Sequence, residues 1–344
     1  MRPFVGIVFS FVIAGCASHA GHPSVPPPID GGMTMVALPG GSGGIGFDDL
    51  RYSRTLGKVL APAGRSGNLD EVDPANLAVT TLGSFSSQPN YDGGHDFGVT
   101  SVDEGMGRLF ATDRTSQKLV VLDPATQQTI GSAPLAAGPD YVRFVAPGEV
   151  WVTEPDHEQI EVFTVIAGAI PAHSLLIAVA GGPESLVIDG TRHRAYTHLW
   201  SGKTIAIDTA THSILETWSN GCQGSRGIAL DEPNGILFAG CAEGTAVALD
   251  VNKHGRQLGG VRQGSGVDII DFSPRLRHLY FPGAGSATMA FIGVSQTGQL
   301  SVLGTVATTP GAHCVTSDDN GRAFVCDPMG GRLLRYPDPY PASR

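Results

Sequence analysis

Titratable side chains recur at one position of a repeated segment in this 344-residue sequence. The repeats align on a polar turn residue, and the position five residues upstream of that turn is charged or an imidazole in most of them. The residues at this position are Asp48, Asp140, Glu184, Arg226, Asp268 and His313, with Asp140 placed there by a shorter turn. The second repeat has Gly98 instead, but His95 and Asp96 come just before it. A position used only for packing would be mostly small or apolar, so we expect these residues to bind a ligand.

Two kinds of chemistry suit this set of side chains. The carboxylates, which favour a hard divalent cation with oxygen ligands, are Asp48, Asp140, Glu184 and Asp268. His95 and His313 could bind a softer metal or transfer protons near neutral pH, which makes them the candidate catalytic residues. The alternative is that Arg226 pairs with its acidic neighbours and that the polar side chains line water without binding anything.

The repeated segment ends in a hydrophobic residue, an aspartate and a turn. These aspartates are Asp73, Asp123, Asp208 and Asp250. The first two are 50 residues apart and the last two are 42 residues apart. A period of this size, with several short strands in each repeat, is typical of propeller blades. The aspartates recur together with the turn, so we interpret them as structural.

Seven repeats can be counted, starting near residues 43, 94, 138, 182, 221, 264 and 311. The seventh lacks a fourth strand, while a spare strand at residues 33–38 precedes the first repeat. If the spare strand completes the last blade, the ring closes and no sheet edge is left exposed between the first and last blades. We therefore predict an all-β domain over residues 33–344, a seven-bladed β-propeller closed by its N-terminal strand.

Two stretches of the chain resemble a known family of repeats. One reads RLFATD at residues 108–113 and LVVLDPAT at 119–126, and the other reads RAYT at 194–197 and TIAIDTAT at 204–211. These resemble bacterial YVTN-type seven-bladed propellers, and the resemblance extends over nearly all of the domain. The third repeat, with GPD at 138–140 and VWVTE at 150–154, is more similar to blades of the virginiamycin B lyase family. The resemblance implies a fold more than an activity, because this fold has many functions.

Five cysteines are present, and four remain if Cys16 carries a lipid. Cys222 and Cys241 lie in one repeat, and Cys314 and Cys326 lie in another. Each pair has one cysteine near the first strand and one at the end of the second, and antiparallel neighbours bring such ends together. These are the preferred disulfides among three possible pairings. A zinc site is the alternative, although the C-x-x-C spacing is absent.

The N-terminus has the features of an export signal. Arg2 precedes an apolar run at residues 4–13, and small residues lead to Cys16. The sequence IAGC at 13–16 resembles the lipobox of bacterial lipoproteins, which implies a signal peptide at 1–15 and a lipid on Cys16; an ordinary signal peptide is the alternative. Residues 16–32 are rich in Pro, Gly, Ser and His and read as a flexible tether. We expect a membrane-anchored lipoprotein that faces the periplasm or the cell exterior.

The charge balance limits the possible partners. A net charge of −10 disfavours nucleic acid, because binding phosphates needs clustered Lys and Arg. We expect a monomeric module that binds a small molecule or a protein at the mouth of its central channel, with a divalent cation as its one candidate cofactor. The alternative is a metal-assisted lactone or ester hydrolase or lyase, similar to gluconolactonase or virginiamycin B lyase.

Overall fold

The computed structural model describes residues 32–344, which form seven four-stranded antiparallel sheets. Six blades take four consecutive strands each. The first three blades are β2 Arg51–Ser53, β3 Lys58–Pro62, β4 Leu69–Val72 and β5 Val79–Leu82; then β6 Val99–Gly105, β7 Arg108–Asp113, β8 Lys118–Asp123 and β9 Gln128–Pro134; then β10 Val142–Val145, β11 Glu149–Glu154, β12 Gln159–Thr164 and β13 Ala172–Ala178. The fourth to sixth blades are β14 Val187–Asp189, β15 Arg194–Leu199, β16 Lys203–Asp208 and β17 Ile214–Ser219; then β18 Ser225–Asp231, β19 Ile236–Cys241, β20 Thr245–Asp250 and β21 Arg256–Arg262; then β22 Asp271–Ser273, β23 His278–Gly283, β24 Thr288–Val294 and β25 Leu300–Ala307. The seventh blade contains β26 Val315–Ser317, β27 Arg322–Asp327, β28 Arg332–Pro337 and the N-terminal β1 Thr34–Ala37. Two short 3₁₀ helices, Pro155–His157 and Val251–Lys253, follow β11 and β20.

The ring closes as the sequence predicted. Strand β1 pairs antiparallel with β28, with Thr34 opposite Arg335 and Ala37 opposite Arg332. The first strands of the seven blades contact one another in an unbroken circle, from β2 through β6, β10, β14, β18 and β22 to β26 and back to β2. The prediction of an all-β, seven-bladed propeller is therefore confirmed, including the strand that completes the last blade.

An apolar second strand in each blade explains how the sheets pack face to face. Its third residue is a large side chain and is fully buried in every blade: Leu60, Phe110, Trp151, Tyr196, Phe238, Tyr280 and Phe324. Burial of one such side chain stabilises the fold by about 2 to 3 kcal/mol. Because both faces of each sheet are covered by neighbouring blades, these strands need no polar alternation.

The recurring aspartates build turns, as the sequence indicated. The carboxylate of Asp73 accepts hydrogen bonds from the backbone N–H groups of Ala75 and Asn76. Asp123 and Asp208 make the same pair of bonds two and three residues downstream. These side chains hold the turn between the third and fourth strands of a blade, as Asx turns do elsewhere.

Both preferred disulfides form. Cys222 bonds to Cys241 across a Cα–Cα distance of 5.2 Å, and Cys314 bonds to Cys326 across 5.5 Å. Each bond ties the segment that enters the first strand of a blade to the end or interior of its second strand. The pairing is confirmed, and the zinc alternative fails because thiolates consumed in disulfides cannot ligate a metal.

The predicted signal peptide, the lipid attachment at Cys16 and nearly all of the tether lie outside the described residues. Within residues 32–344, no helix is long and apolar enough to span a bilayer.

Candidate functional site

The aligned residues gather at the end of the channel where the first strands begin. Five of them sit in the segments that lead into the innermost strands, and Arg226 lies within β18. Because the first strands follow one topology in every blade, their starting ends share one mouth of the channel. We call this end the channel mouth, defined by Asp48, Asp140, Glu184, Arg226, Asp268 and His313 together with the loop residue His95.

His95 occupies the place in the ring where the second blade has no side chain. Its Nδ1 atom lies 3.3 Å from Oδ2 of Asp48, and its Nε2 atom lies 3.9 Å from Oδ2 of Asp268. The rings of His95 and His313 are 5.3 Å apart. Gly98 cannot supply a side chain there, because a Cβ on it would come within 2.2 Å of the carbonyl oxygen of Gly64.

The carboxylates control the charge of His95. The charge of Asp48, aided by those of Asp268 and Asp140, raises the pKa of His95 to about 10. Burial opposes ionisation of Asp48, but His95 and the more distant Arg114 and His313 hold the pKa of that carboxyl below its ordinary value. His95 therefore carries a proton at neutral pH, which suits it to donate a hydrogen bond or a proton and not to act as a base.

His313 sits between two backbone carbonyl groups. Its Nδ1 atom lies 2.6 Å from the oxygen of Gly311, and its Nε2 atom lies 3.0 Å from the oxygen of Phe47. Carbonyl oxygens only accept hydrogen bonds, so a neutral ring can satisfy one of these contacts at a time.

Asp140 and Glu184 are acids that resist ionisation. Burial and the charges of Asp48 and Glu184 raise the pKa of Asp140 well above its ordinary value, against the effect of Arg114. Burial raises the pKa of Glu184 to about 7, although a hydrogen bond from Trp200 lowers it. A carboxyl group that titrates near neutral pH can exchange protons with a bound molecule.

Two residues of the mouth, Arg114 and Trp200, were not among the sequence candidates. Arg114 donates from Nη1 to Oδ1 of Asp140 at 3.2 Å, and its other amino group lies 3.4 Å from Asp96. Trp200 is 50% exposed and stacks under Arg226, whose guanidinium carbon lies 4.1 Å from the ring centroid. The other two tryptophans, Trp151 and Trp218, are buried between the blades.

A second aligned position of the repeat contains both Arg114 and Trp200. The residue after the second strand of each blade lies beside the start of the first strand, because the two strands are antiparallel neighbours. These residues are Ala63, Arg114, Pro155, Trp200, Ala242, Ala284 and Pro328. Only Arg114 and Trp200 have long or aromatic side chains, so the same alignment applied to this position would have identified both.

Two adjoining cavities open at the channel mouth. One has a volume of about 550 Å³ and is lined by Arg114, Asp140, Glu184 and Trp200. The other has a volume of about 340 Å³ and is lined by Asp268, His313, Tyr91 and Met329. His95 and Arg226 line both. A separate cavity of about 180 Å³ lies further along the inner strands and shares no lining residue with them.

That inner cavity contains a buried ion pair. Arg143 donates from Nη1 and Nη2 to the two carboxylate oxygens of Asp49, at 2.6 and 3.0 Å. Its guanidinium also lies 4.8 Å from the ring centroid of Tyr141. Both charged residues are almost fully buried, so this pair is part of the core of the ring and is not a binding surface.

Of the metal-ligand candidates named from the sequence, the structure groups the two histidines with one of the four carboxylates, Asp268. Among residues 32–344, His95, Asp268 and His313 have potential ligand atoms that all lie within 4.8 Å of one another. Two other such groups contain disulfide cysteines, and Asp48, Asp140 and Glu184 belong to none. The combination of two imidazoles and one carboxylate suits a borderline metal better than a hard one.

Comparison with known proteins identifies the fold alone. No family model matches the chain, and no curated protein matches its sequence. The chain is similar in structure to a chain of the mitotic checkpoint complex, with 13% identity, a TM-score of 0.73 and coverage of 97% of this chain and 99% of the other. It is also similar to the Cps50 (Swd1) β-propeller domain of Myceliophteria thermophila, with 10% identity, a TM-score of 0.70 and coverage of 89% and 99%. Hydrazine synthase of Kuenenia stuttgartiensis follows with 11% identity, a TM-score of 0.69 and coverage of 86% and 96%.

Proposed function

We propose that this propeller is a binding module that recognises a protein partner at the channel mouth. The observation that carries this proposal is Trp200, an aromatic side chain that is half exposed and stacked with Arg226 above a recess of about 550 Å³. Tryptophan and arginine are enriched among the residues that dominate protein interfaces. A small molecule with one positive and one negative group is the other kind of ligand that would fit this recess, which is lined by acidic and basic side chains.

Unsatisfied polar atoms in the same place support a ligand. The buried Nε atom of Arg226 has no hydrogen-bond partner among the described residues, and Oδ2 of Asp48 and Nδ1 of His95 face each other without an aligned hydrogen bond. Buried polar groups in folded proteins are nearly always paired. A bound partner would supply the missing acceptor for Arg226.

The experiment is site-specific photo-crosslinking in the native host. A photoreactive amino acid replaces Trp200, and a matched variant carries it at Ile214, which is similarly exposed at 45% but lies on the outer strand β17. We expect a defined adduct from position 200 and none from position 214. Equal adducts from both positions, or none from either, would contradict the proposal.

We also propose that the domain is exported and held at a membrane by a lipid on Cys16, so that it meets its partner in the periplasm or at the cell exterior. The two disulfides support an oxidising compartment. Cys16→Ser should release the protein from the membrane fraction. Retention of the variant in that fraction would exclude the lipid anchor.

A hydrolase or lyase acting on a lactone or ester is the second candidate. The observation in its favour is Glu184, whose pKa of about 7 suits a general acid or base and whose side chain lines the larger cavity. Turnover of a lactone and ester panel that is lost in Glu184→Gln and kept in the exposed Glu158→Gln would support it. A wild-type protein that turns over no member of the panel would remove it.

A further inference from the structure

The second cavity of the channel mouth holds three donor groups arranged around a common point. His95 approaches Asp268 with Nε2 to Oδ2 at 3.9 Å, and a nitrogen of His313 lies within 4.8 Å of both partners. Donor atoms around a tetrahedral zinc ion are about 3.3 Å apart when each bond is about 2.0 Å. Shifts of under about 1 Å in each side chain would bring these three donors to that spacing.

Each of the two imidazoles has, next to its Nδ1 atom, an acceptor of the kind that orients a histidine as a metal ligand. A metal-bound histidine usually donates its other N–H to a carboxylate or a backbone carbonyl. Nδ1 of His95 lies 3.3 Å from the buried carboxylate of Asp48, and Nδ1 of His313 lies 2.6 Å from the carbonyl oxygen of Gly311. In both residues this contact leaves Nε2 as the nitrogen available to a metal.

The site is open and carries a suitable charge. It faces the cavity of about 340 Å³, which leaves space for a fourth ligand beside the ion. The carboxylates of Asp48 and Asp268 would offset the charge of a divalent cation. Two contacts must give way: the hydrogen bond between Nε2 of His313 and the carbonyl oxygen of Phe47, and the ion pair at 3.5 Å between Nη1 of Arg226 and Oδ2 of Asp268. The metal must also displace the proton that His95 carries at neutral pH.

We propose that His95, Asp268 and His313 bind one borderline divalent cation of the zinc type, with a fourth coordination position open to the cavity. Two imidazoles and a carboxylate favour such an ion over calcium or magnesium, which prefer oxygen ligands. This inference rests on the proposed function, because a group of the protein partner bound at the channel mouth would coordinate the metal at the open position. The metal site itself can be tested without that partner.

The test is zinc binding to the purified full chain, measured by isothermal titration and by elemental analysis after dialysis. We expect one zinc ion per chain and no competition by excess calcium. His95→Gln and His313→Gln should abolish this binding, whereas the matched His254→Gln, at an exposed histidine on the outside of the fifth blade, should keep it. Asp48→Asn should weaken it by roughly tenfold to a hundredfold, because the three ligands remain while the group that orients His95 and one compensating charge are lost.

A spectroscopic measurement guards against variants that fail to fold. Cobalt added to the wild-type chain should give the visible absorption of a tetrahedral site, and zinc should displace it. Absence of zinc binding by the folded wild type, or binding that survives both histidine substitutions, would overturn the inference. Crosslinking at position 200 in the presence of a chelator tests the binding module separately, so either idea can fail alone.

Discussion

Glu184 gives the most direct quantitative test of the channel mouth. Its pKa rises from 4.5 in an ordinary environment to about 7, chiefly because burial disfavours the charged form. The charges of Asp268 and Asp48 add to this effect and Arg226 opposes it, while Asp140 faces the same recess. The perturbation is Glu184→Gln, which keeps the shape of the side chain and removes its charge.

The sign of the effect follows from proton binding. Between about pH 4.5 and about pH 7 the folded protein holds a proton on Glu184 that the unfolded chain has released, so stability falls as the pH rises through this window. A rise of the pKa from 4.5 to about 7 corresponds to about 3.4 kcal/mol, and partial exposure at the mouth reduces this to about 1 to 2 kcal/mol. The glutamine variant escapes this penalty.

The assay is urea denaturation of wild type and variant at about pH 5 and about pH 8. We expect the gain in unfolding free energy from Glu184→Gln to be about 1 to 2 kcal/mol larger at the higher pH, since little of the penalty has developed at the lower one. Subtracting the unfolding free energy of the wild type from that of the variant at each pH cancels the contributions of ionisable groups that the two proteins share. Glu158→Gln, at an exposed residue, is the matched control and should show no such dependence on pH.

The refuting result is a gain that is equal at the two pH values. It would mean that Glu184 is already ionised at about pH 5 in the folded protein, and that water and Arg226 screen the group fully. The use of Glu184 as a proton-transfer group near neutral pH would then lose its support.

Three further predictions concern closure of the propeller by β1, one disulfide, and the ion pair between Arg143 and Asp49. Val36→Asp should destabilise the fold by about 3 kcal/mol because Val36 is only 3% exposed. Met35→Asp, on the same strand but 53% exposed, should cost under about 1 kcal/mol. Equal melting temperatures of the two variants would contradict closure of the propeller by β1. Replacing Cys222 and Cys241 by serine should cost about 3 kcal/mol in urea denaturation, as expected for a disulfide spanning 19 residues, and an unchanged midpoint would refute the estimate. Arg143→Met leaves the buried Asp49 with the hydroxyl of Ser101 but without its charged partner, and it should cost about 3 to 5 kcal/mol. A loss below about 1 kcal/mol would contradict this expectation.

The blades were predictable because their determinants are local. Apolar second strands, turn-forming aspartates and a period near 42 residues are readable along the chain, and each blade pairs strands that are adjacent in sequence. The disulfides were predictable for the same reason, since each joins two neighbouring strand segments. Even the long-range pairing of β1 with β28 followed from a count, because one strand was spare and one was missing.

The arrangement of the channel mouth was only partly predictable. The repeat alignment placed the ring residues at one level, and the structure brings Asp48, Asp268 and His313 around His95. The alignment could not show that His95 holds a proton, because its pKa depends on carboxylates from the segments entering the first and sixth blades. It also missed Arg114 and Trp200, which reach the mouth from a different loop.

The sequence by itself determined the number of blades and the closing strand, and it indicated the preferred disulfides and the channel end where polar residues collect. These follow from hydrogen bonding and burial patterns within about forty residues of chain. Only the tertiary structure decided which of the polar residues touch, which acids resist ionisation and which tryptophan stays exposed. Those properties depend on distances between loops of different blades, and the free energy of a charge in a partly buried site changes strongly over a few ångströms.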